Sequence, residues 1–267
     1  MRVFDINIHL PCGVNGLTEQ LTKDSTMNAD ELITCYDHYK NEFSKLIGGN
    51  FMIFNHKINN KEVEFFTDYV KSEMENSFFT LLADFRELNF LDLENMQRSG
   101  ISAIKFHSYV QKISDSDFES VLICAKNAEK LNLPIFIDTS FGTTKMYQYD
   151  NLKLAAYLLD HIKHVPVVLL HAGCSRALEA FLLAASCENV FLDTSFGVDA
   201  YLGSTIEQDM SFSFKTIGFD KVVYGSDMPY VSSKRSLQSI YTFFDNQDIN
   251  SKQQEKVLSK SWRRIFL

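Results

Sequence analysis

The sequence predicts an α/β protein, a closed (β/α)8 TIM barrel, and three observations carry that reading. Apolar strand-like runs alternate with helix-period segments along the whole chain. Five of those runs place a polar residue where a barrel mouth would be, DINIH (5–9), IKFH (104–107), FIDTS (136–140), VLLHAG (168–173) and VVYGSD (222–227). The length of 267 residues suits one such barrel, which takes about 250. Parallel strands end on one face, so the polar ends should converge on a single mouth.

The elements follow in order. A strand over 3–9 precedes a helix from residue 29, with Asn28 as N-cap and Glu31 three residues on, the pattern of a capping box. A strand over 47–54 is followed by a helix over 61–75, in which Val63, Phe66, Val70 and Met74 recur at helical spacing. A strand over 78–85, a helix over 91–98 and a strand over 102–107 come next. Phe118, Val121, Leu122, Ala125 and Ala128 mark a helix whose start is signalled by Ser116 with Glu119. Pro134 and Pro166 introduce strands over 135–139 and 167–171, with a helix over 152–162 between them. Helices over 177–185 and 204–217 flank a strand over 190–194, the eighth strand covers 221–227, and helices over 236–244 and 252–266 close the chain. Right-handed crossovers place a helix after every parallel strand, so the sheet is covered outside and closes on itself. No Pro/Gly/Ser-rich linker interrupts this rhythm, and residues 1–267 are expected to form one domain.

A formal charge of −8 and a pI near 5.4 argue against a nucleic-acid partner, which needs clustered Lys and Arg. A small-molecule substrate is expected instead, with self-association left open. No apolar run reaches the roughly 20 residues of a membrane span, and MRVFDINIH runs straight into a strand without a charged region and apolar stretch before it. The cysteines, Cys12, Cys35, Cys124, Cys174 and Cys187, are odd in number and form no C-x-x-C pair, which fits a reducing compartment. The expected location is the cytoplasm.

Side chains alternate along a strand, so Asp5, Asn7 and His9 should share a face, as should Lys105 with His107 and Gly225 with Asp227. Together with Asp138 and His171 they are expected near the barrel axis. These segments resemble the amidohydrolase superfamily, in the branch of aminocarboxymuconate semialdehyde decarboxylase and pyrone dicarboxylate lactonase. The likeness rests on Asp5-Ile6-Asn7-Ile8-His9, Lys105-Phe106-His107, His171-Ala172-Gly173, Leu192-Asp193-Thr194-Ser195, Tyr224-Gly225-Ser226-Asp227-Met228-Pro229 and the closing Trp262-Arg263-Arg264-Ile265-Phe266. It spans nearly the whole chain.

Two positions depart from the pattern. The resemblance implies His-x-His on strand one, His on strand five and Asp on strand eight as metal ligands; here Asn7 and Asp138 replace two of the histidines. Zinc takes about four ligands from Cys, His and carboxylate. The expectation is therefore no cofactor, or one weakly bound divalent metal (Zn or Mn) held by His9, Asp138 and Asp227.

The leading function is hydrolysis of a C–O or C–N bond, in a lactone, ester or amide of a small acidic metabolite. Asp227 would take a proton from water, His171 would polarise the carbonyl or stabilise the oxyanion, and Lys105 and His107 would hold developing charge. Arg86, Arg176 and His56 are the expected substrate contacts on the mouth side, the arginines as a carboxylate clamp. Nonoxidative decarboxylation is the second reading. The third is an inactive barrel kept for binding or assembly, against which stands the cost of so many buried ionisable groups. Asp5 reads as structural, His161 and His164 as solvated helix-end residues away from the mouth, and Cys174 as a small apolar residue.

Overall fold

A computed structural model describes residues 3–10, 28–54 and 58–267. Its strands are β1 (Val3–Leu10), β2 (Leu46–Ile53), β3 (Ser77–Leu82), β4 (Ala103–Phe106), β5 (Ile135–Asp138), β6 (Val167–Leu170), β7 (Val190–Asp193) and β8 (Val222–Val223). They form one eight-stranded sheet in chain order, and every neighbouring pair is parallel. The last turn of the sheet closes on the first: Ile6 N donates to Tyr224 O at 3.0 Å, Asp227 N to Asn7 O at 3.0 Å and His9 N to Met228 O at 2.8 Å. This is the TIM barrel expected from the alternation. Regular β8 is shorter than its predicted span; beyond Val223 the chain meets β1 through single backbone bonds at Tyr224, Asp227 and Met228.

Helices α1 (Ala29–Phe43), α2 (Asn60–Glu73), α3 (Phe90–Arg98), α4 (Ser108–Gln111), α5 (Phe118–Lys130), α6 (Asn151–Leu159), α7 (Ala177–Ser186), α8 (Gly197–Tyr201), α9 (Thr205–Ile217) and α10 (Ser233–Asn246) follow the strands. Asn28 and Glu31 make the predicted capping box at α1. At α5 the box is instead Ser114 with Asp117, which close a 3-10 turn (Asp115–Asp117) ahead of the helix; a capping side chain needs the N–H three residues on, and Ser116 is already inside the turn. The predicted final helix is broken into α11 (Ser251–Glu255), a π-turn (Lys256–Lys260) and α12 (Arg263–Phe266). That break lets Trp262 stack on Phe4 at 4.2 Å and Phe266 on Phe78 at 4.1 Å. With Ile6, Phe136, Val168 and Phe191 these rings form an apolar plug below the site.

One expectation about side-chain direction is corrected. Simple alternation would keep Asp5, Asn7 and His9 together, but the β1–β2 register shifts between Asp5 and Ile8. Phe4 and Ile6 join the plug, whereas Ile8 and Leu10 pack among α1 and α2 side chains. An irregularity of this kind re-aims side chains next to it. Asn7 and His9 thus reach the mouth while Asp5 accepts from the backbone N–H of Asn7 at 3.1 Å and of Ser226 at 2.9 Å.

Candidate active site

At the carboxyl ends of the strands lies a cavity of about 260 Å³, lined by His9, His107, Asp138, His171 and Asp227 and, toward its rim, by Ser140, Gly142, Met146, Phe196 and Tyr230. The sequence-predicted catalytic residues Asp227, His171 and His107 therefore meet. Lys105 does not line the cavity; its side chain is wholly buried, with Nζ 3.7 Å from Asp138 Oδ2.

Two carboxylates organise the site. Asp138 Oδ2 is 3.0 Å from His171 Nε2, 3.5 Å from His107 Nε2 and 3.7 Å from Lys105 Nζ, while Oδ1 accepts from Ser140 N at 3.0 Å and Oγ at 2.6 Å. Burial opposes its ionisation, but His107, His171 and Lys105 prevail and hold it well below the usual carboxylate range. Asp227 Oδ1 is 3.0 Å from His9 Nε2 and accepts from Asn7 Nδ2 at 3.4 Å. Against the cost of burial, His171, His9 and Lys105 keep it ionised below its ordinary value.

The histidines divide into two kinds. Burial disfavours charge on His171, yet Asp138, Asp227 and Asp193 outweigh it and raise its pKa to about 9. Burial lowers His107 to about 4, with Asp138 opposing and Lys105 adding to the fall. Burial and then Lys105 also lower His9. At neutral pH His171 is an imidazolium and the other two are neutral. Lys105 is lowered by burial, opposed by Asp138, Asp227 and Asp193.

Strand β7 supplies partners whose roles sequence reasoning missed. Ser195 Oγ donates to Asp193 Oδ2, accepts from Asn7 Nδ2 at 2.9 Å and lies 3.0 Å from His171 Nδ1. His171 Nδ1 is also 3.2 Å from Ser195 O. The imidazolium is thus held at both nitrogens, by Asp138 on one side and Ser195 on the other. A direct contact between His171 N–H and a substrate carbonyl, the role its position in the sequence suggests, would require breaking one of these bonds; as placed, the ring acts through its charge. The signal was present as polar alternation at Asp193 and Ser195, the same D-x-S/N spacing as at Asp5 and Asn7.

The backbone is strained where these groups sit. His171, Phe196 and Asp227 have φ of 66°, 47° and 62°, a region costly for side chains other than glycine and typical of functional positions. At Gly225 any Cβ would collide with Asp193 Oδ1 and come within 2.9 Å of Asn7 Cβ, so its bare backbone is what lets β8 close over these two.

The expected substrate contacts lie elsewhere. Arg86 is exposed, donating to Asp117 Oδ1 at 3.2 Å and to Gln111 O at 3.2 Å. Arg176 faces Asp150 at 2.8 Å and Glu179 at 2.9 and 2.5 Å, with its guanidinium 5.5 Å from the Phe141 ring. Both forks are taken up by carboxylates of this chain, and neither lines the cavity. His56 lies outside the described residues. His161 and His164 are exposed, as expected.

The candidate metal ligands also separate. His9 pairs with Asp227 and Asp138 with His171, and among the described residues no three His, Cys, Asp or Glu converge on a position that would hold a metal. With an amide at Asn7 and an ammonium beside Asp138, this donor set does not fit a tightly held zinc or manganese ion.

The amidohydrolase profile matches residues 84–266, more than half of the chain. The chain belongs to the amidohydrolase family. Its fold is shared over full length by a probable 2-pyrone-4,6-dicarboxylic acid hydrolase from Acinetobacter baumannii solved with citric acid bound, at 14% identity, TM-score 0.64, and coverage of 100% of this chain and 99% of that one. An uncharacterized TIM-barrel protein from Bordetella bronchiseptica is similar at 15% identity and TM-score 0.72, covering 99% and 98%. The 2,6-dihydroxybenzoate decarboxylase from Rhizobium matches at 13% identity and TM-score 0.62, covering 100% and 99%. No curated protein shows a significant sequence match. At these identities the likeness is one of fold, and it joins this amidohydrolase to barrels named for hydrolysis and for decarboxylation alike. Among the described residues no helix is long and apolar enough to cross a membrane.

Proposed function

We propose that this amidohydrolase hydrolyses a lactone, ester or amide bond of a small acidic metabolite without a metal. The observation that carries the proposal is one cavity holding an ionised carboxylate, Asp227, together with a fixed imidazolium, His171. With Oδ1 engaged by His9 and Asn7, the second oxygen of Asp227 is left to accept a proton from water as the water attacks the carbonyl carbon. The tetrahedral oxygen gains negative charge, and the positive field of His171 and Lys105 stabilises it. Asp227 then returns the proton to the leaving oxygen or nitrogen. His107 is neutral and, among the described residues, its buried Nδ1 has no hydrogen-bond partner, which makes it the available neutral donor or acceptor toward the substrate.

Decarboxylation is the second reading, supported by the full-length likeness to the dihydroxybenzoate decarboxylase. A screen of lactones, esters and amides beside hydroxylated aromatic acids separates the two. Release of the ring-opened or cleaved acid with no carbon dioxide is the expected result. Carbon dioxide release from an aromatic acid, with no turnover of any acyl substrate, would overturn the hydrolytic reading.

A further inference from the structure

The end of the barrel away from the mouth carries a second cavity. Its lining comes from Lys163 ahead of β6, from Ser186, Cys187, Glu188 and Asn189 ahead of β7, and from Arg264 of α12, around a volume of about 480 Å³. Segments that lead into parallel strands lie on the face opposite the strand ends that hold the active site. Lys221 adjoins the cavity, its Nζ donating to Cys187 O at 3.0 Å and to Ala184 O at 3.2 Å.

Three cations meet here without a matching set of carboxylates. Arg86, Arg98, Arg176 and Arg235 each face an acidic side chain. Arg264 instead donates to a backbone carbonyl, Asp220 O at 3.4 Å, and lies 5.6 Å from the Phe191 ring, so among the described residues most of its N–H donors are left for another acceptor. Lys163 Nζ likewise donates to a carbonyl, Leu159 O. Carbonyls accept hydrogen bonds but do not neutralise charge. Burial and then the nearness of Arg264 lower the Lys221 pKa, with Glu188 opposing, which shows that these side chains act on one another. Glu188 is the one carboxylate in the lining, and it leaves the group with a double positive charge.

We propose that this cavity binds a small dianion, carried as a phosphate group or as a pair of carboxylates, at a site apart from the active site. The Arg264 fork takes two of its oxygens in charge-assisted hydrogen bonds, Lys163 takes a third, and Lys221 adds its field from behind. A cavity of about 480 Å³ accommodates a metabolite that carries the dianion as well as the bare ion. The site does not depend on the reaction assigned to the mouth.

Thermal unfolding in sodium phosphate and in sodium succinate, each against sodium chloride of matched ionic strength, reads the binding, because a ligand held only by the folded chain raises its melting temperature with concentration. At least one of the two anions should act with a dissociation constant on the order of a millimolar; phosphate alone marks a phosphate site and succinate alone a dicarboxylate site. Lys163→Gln and Arg264→Gln should each weaken that binding about tenfold, the worth of a charge-assisted contact, while Lys234→Gln at the start of α10, an equal change of charge elsewhere, leaves it as it was. Cys187 reports on the same cavity. Its alkylation by iodoacetamide, followed by the mass of its peptide, should slow about threefold or more under the saturating anion as access to the thiol falls. No rise in melting temperature beyond that in chloride would overturn the inference. So would a rise undiminished in either glutamine variant, or a saturating anion that leaves the alkylation of Cys187 unchanged.

Discussion

His171 Nε2 lies 3.0 Å from Asp138 Oδ2, a buried pair joining the ends of β6 and β5. The pair has a consequence for stability. Burial works against charge on His171 and the carboxylates overcome it, moving its pKa from 6.5 to about 9. A raised folded-state value gives stability that is fully present below the ordinary value and lost as pH rises through the folded one. The melting temperature is therefore expected to fall between pH 6.5 and about 9 through this group. In Asp138→Asn that part of the slope should disappear; an unchanged slope would show that Asp138 does not set the charge of His171.

Asp227→Asn keeps shape and the contacts to His9 and Asn7 but removes the base. Turnover should drop on the order of a hundredfold or more while KM changes little. Near-normal turnover on the true substrate would move the assignment to His107, the neutral group whose ring Nδ1 has no partner among the described residues.

Gly225→Ala tests the close approach of β8 to β1 and β7. A methyl group there meets Asp193 and Asn7, and overpacking of this kind costs about 1–3 kcal/mol. Denaturant unfolding should show a lower midpoint with an unchanged slope. No change in midpoint would mean that Asp193 can swing aside, and with it Ser195.

Arg86→Ala and Arg176→Ala probe the substrate clamp suggested by the sequence. Because each guanidinium faces this chain's own carboxylates, KM should shift by less than about threefold, in keeping with the small worth of ion pairs near the surface. A rise of about tenfold or more in KM for Arg176→Ala, the energy of a charge-assisted contact, would mean that it leaves Asp150 and Glu179 to hold the substrate.

Chelation should leave the turnover of the purified protein intact, with metal content well below about one ion per chain. Stoichiometric metal, removed by a chelator together with activity, would reverse that expectation.

Local chemistry makes most of the scaffold legible in the amino-acid sequence. A twofold or 3.6-fold apolar period, Asn28 with Glu31, and Pro134 and Pro166 ahead of strands act within a few residues, so strands, helices and their order can be read directly. That parallel strand ends share a face then places His9, His107, Asp138, His171 and Asp227 in one cavity, as found.

Other features depend on residues far apart in the chain. The shift in β1 register that turns Asp5 to the backbone and Asn7 to the mouth is set by pairing with β2 and β8. Asn7 reaches Ser195 across 188 positions, and no period or cap encodes that contact. Arg86 and Arg176 read as free cations until tertiary packing supplies Asp117, Asp150 and Glu179. Charge state follows the same division: residue type tells which groups ionise, but burial and partner distances make His171 a cation and leave His107 neutral. Sequence alone determined the barrel and the side chains at its mouth; the tertiary structure decided which of them carry charge and which face one another, because desolvation and Coulomb energy depend on distances through space rather than along the chain.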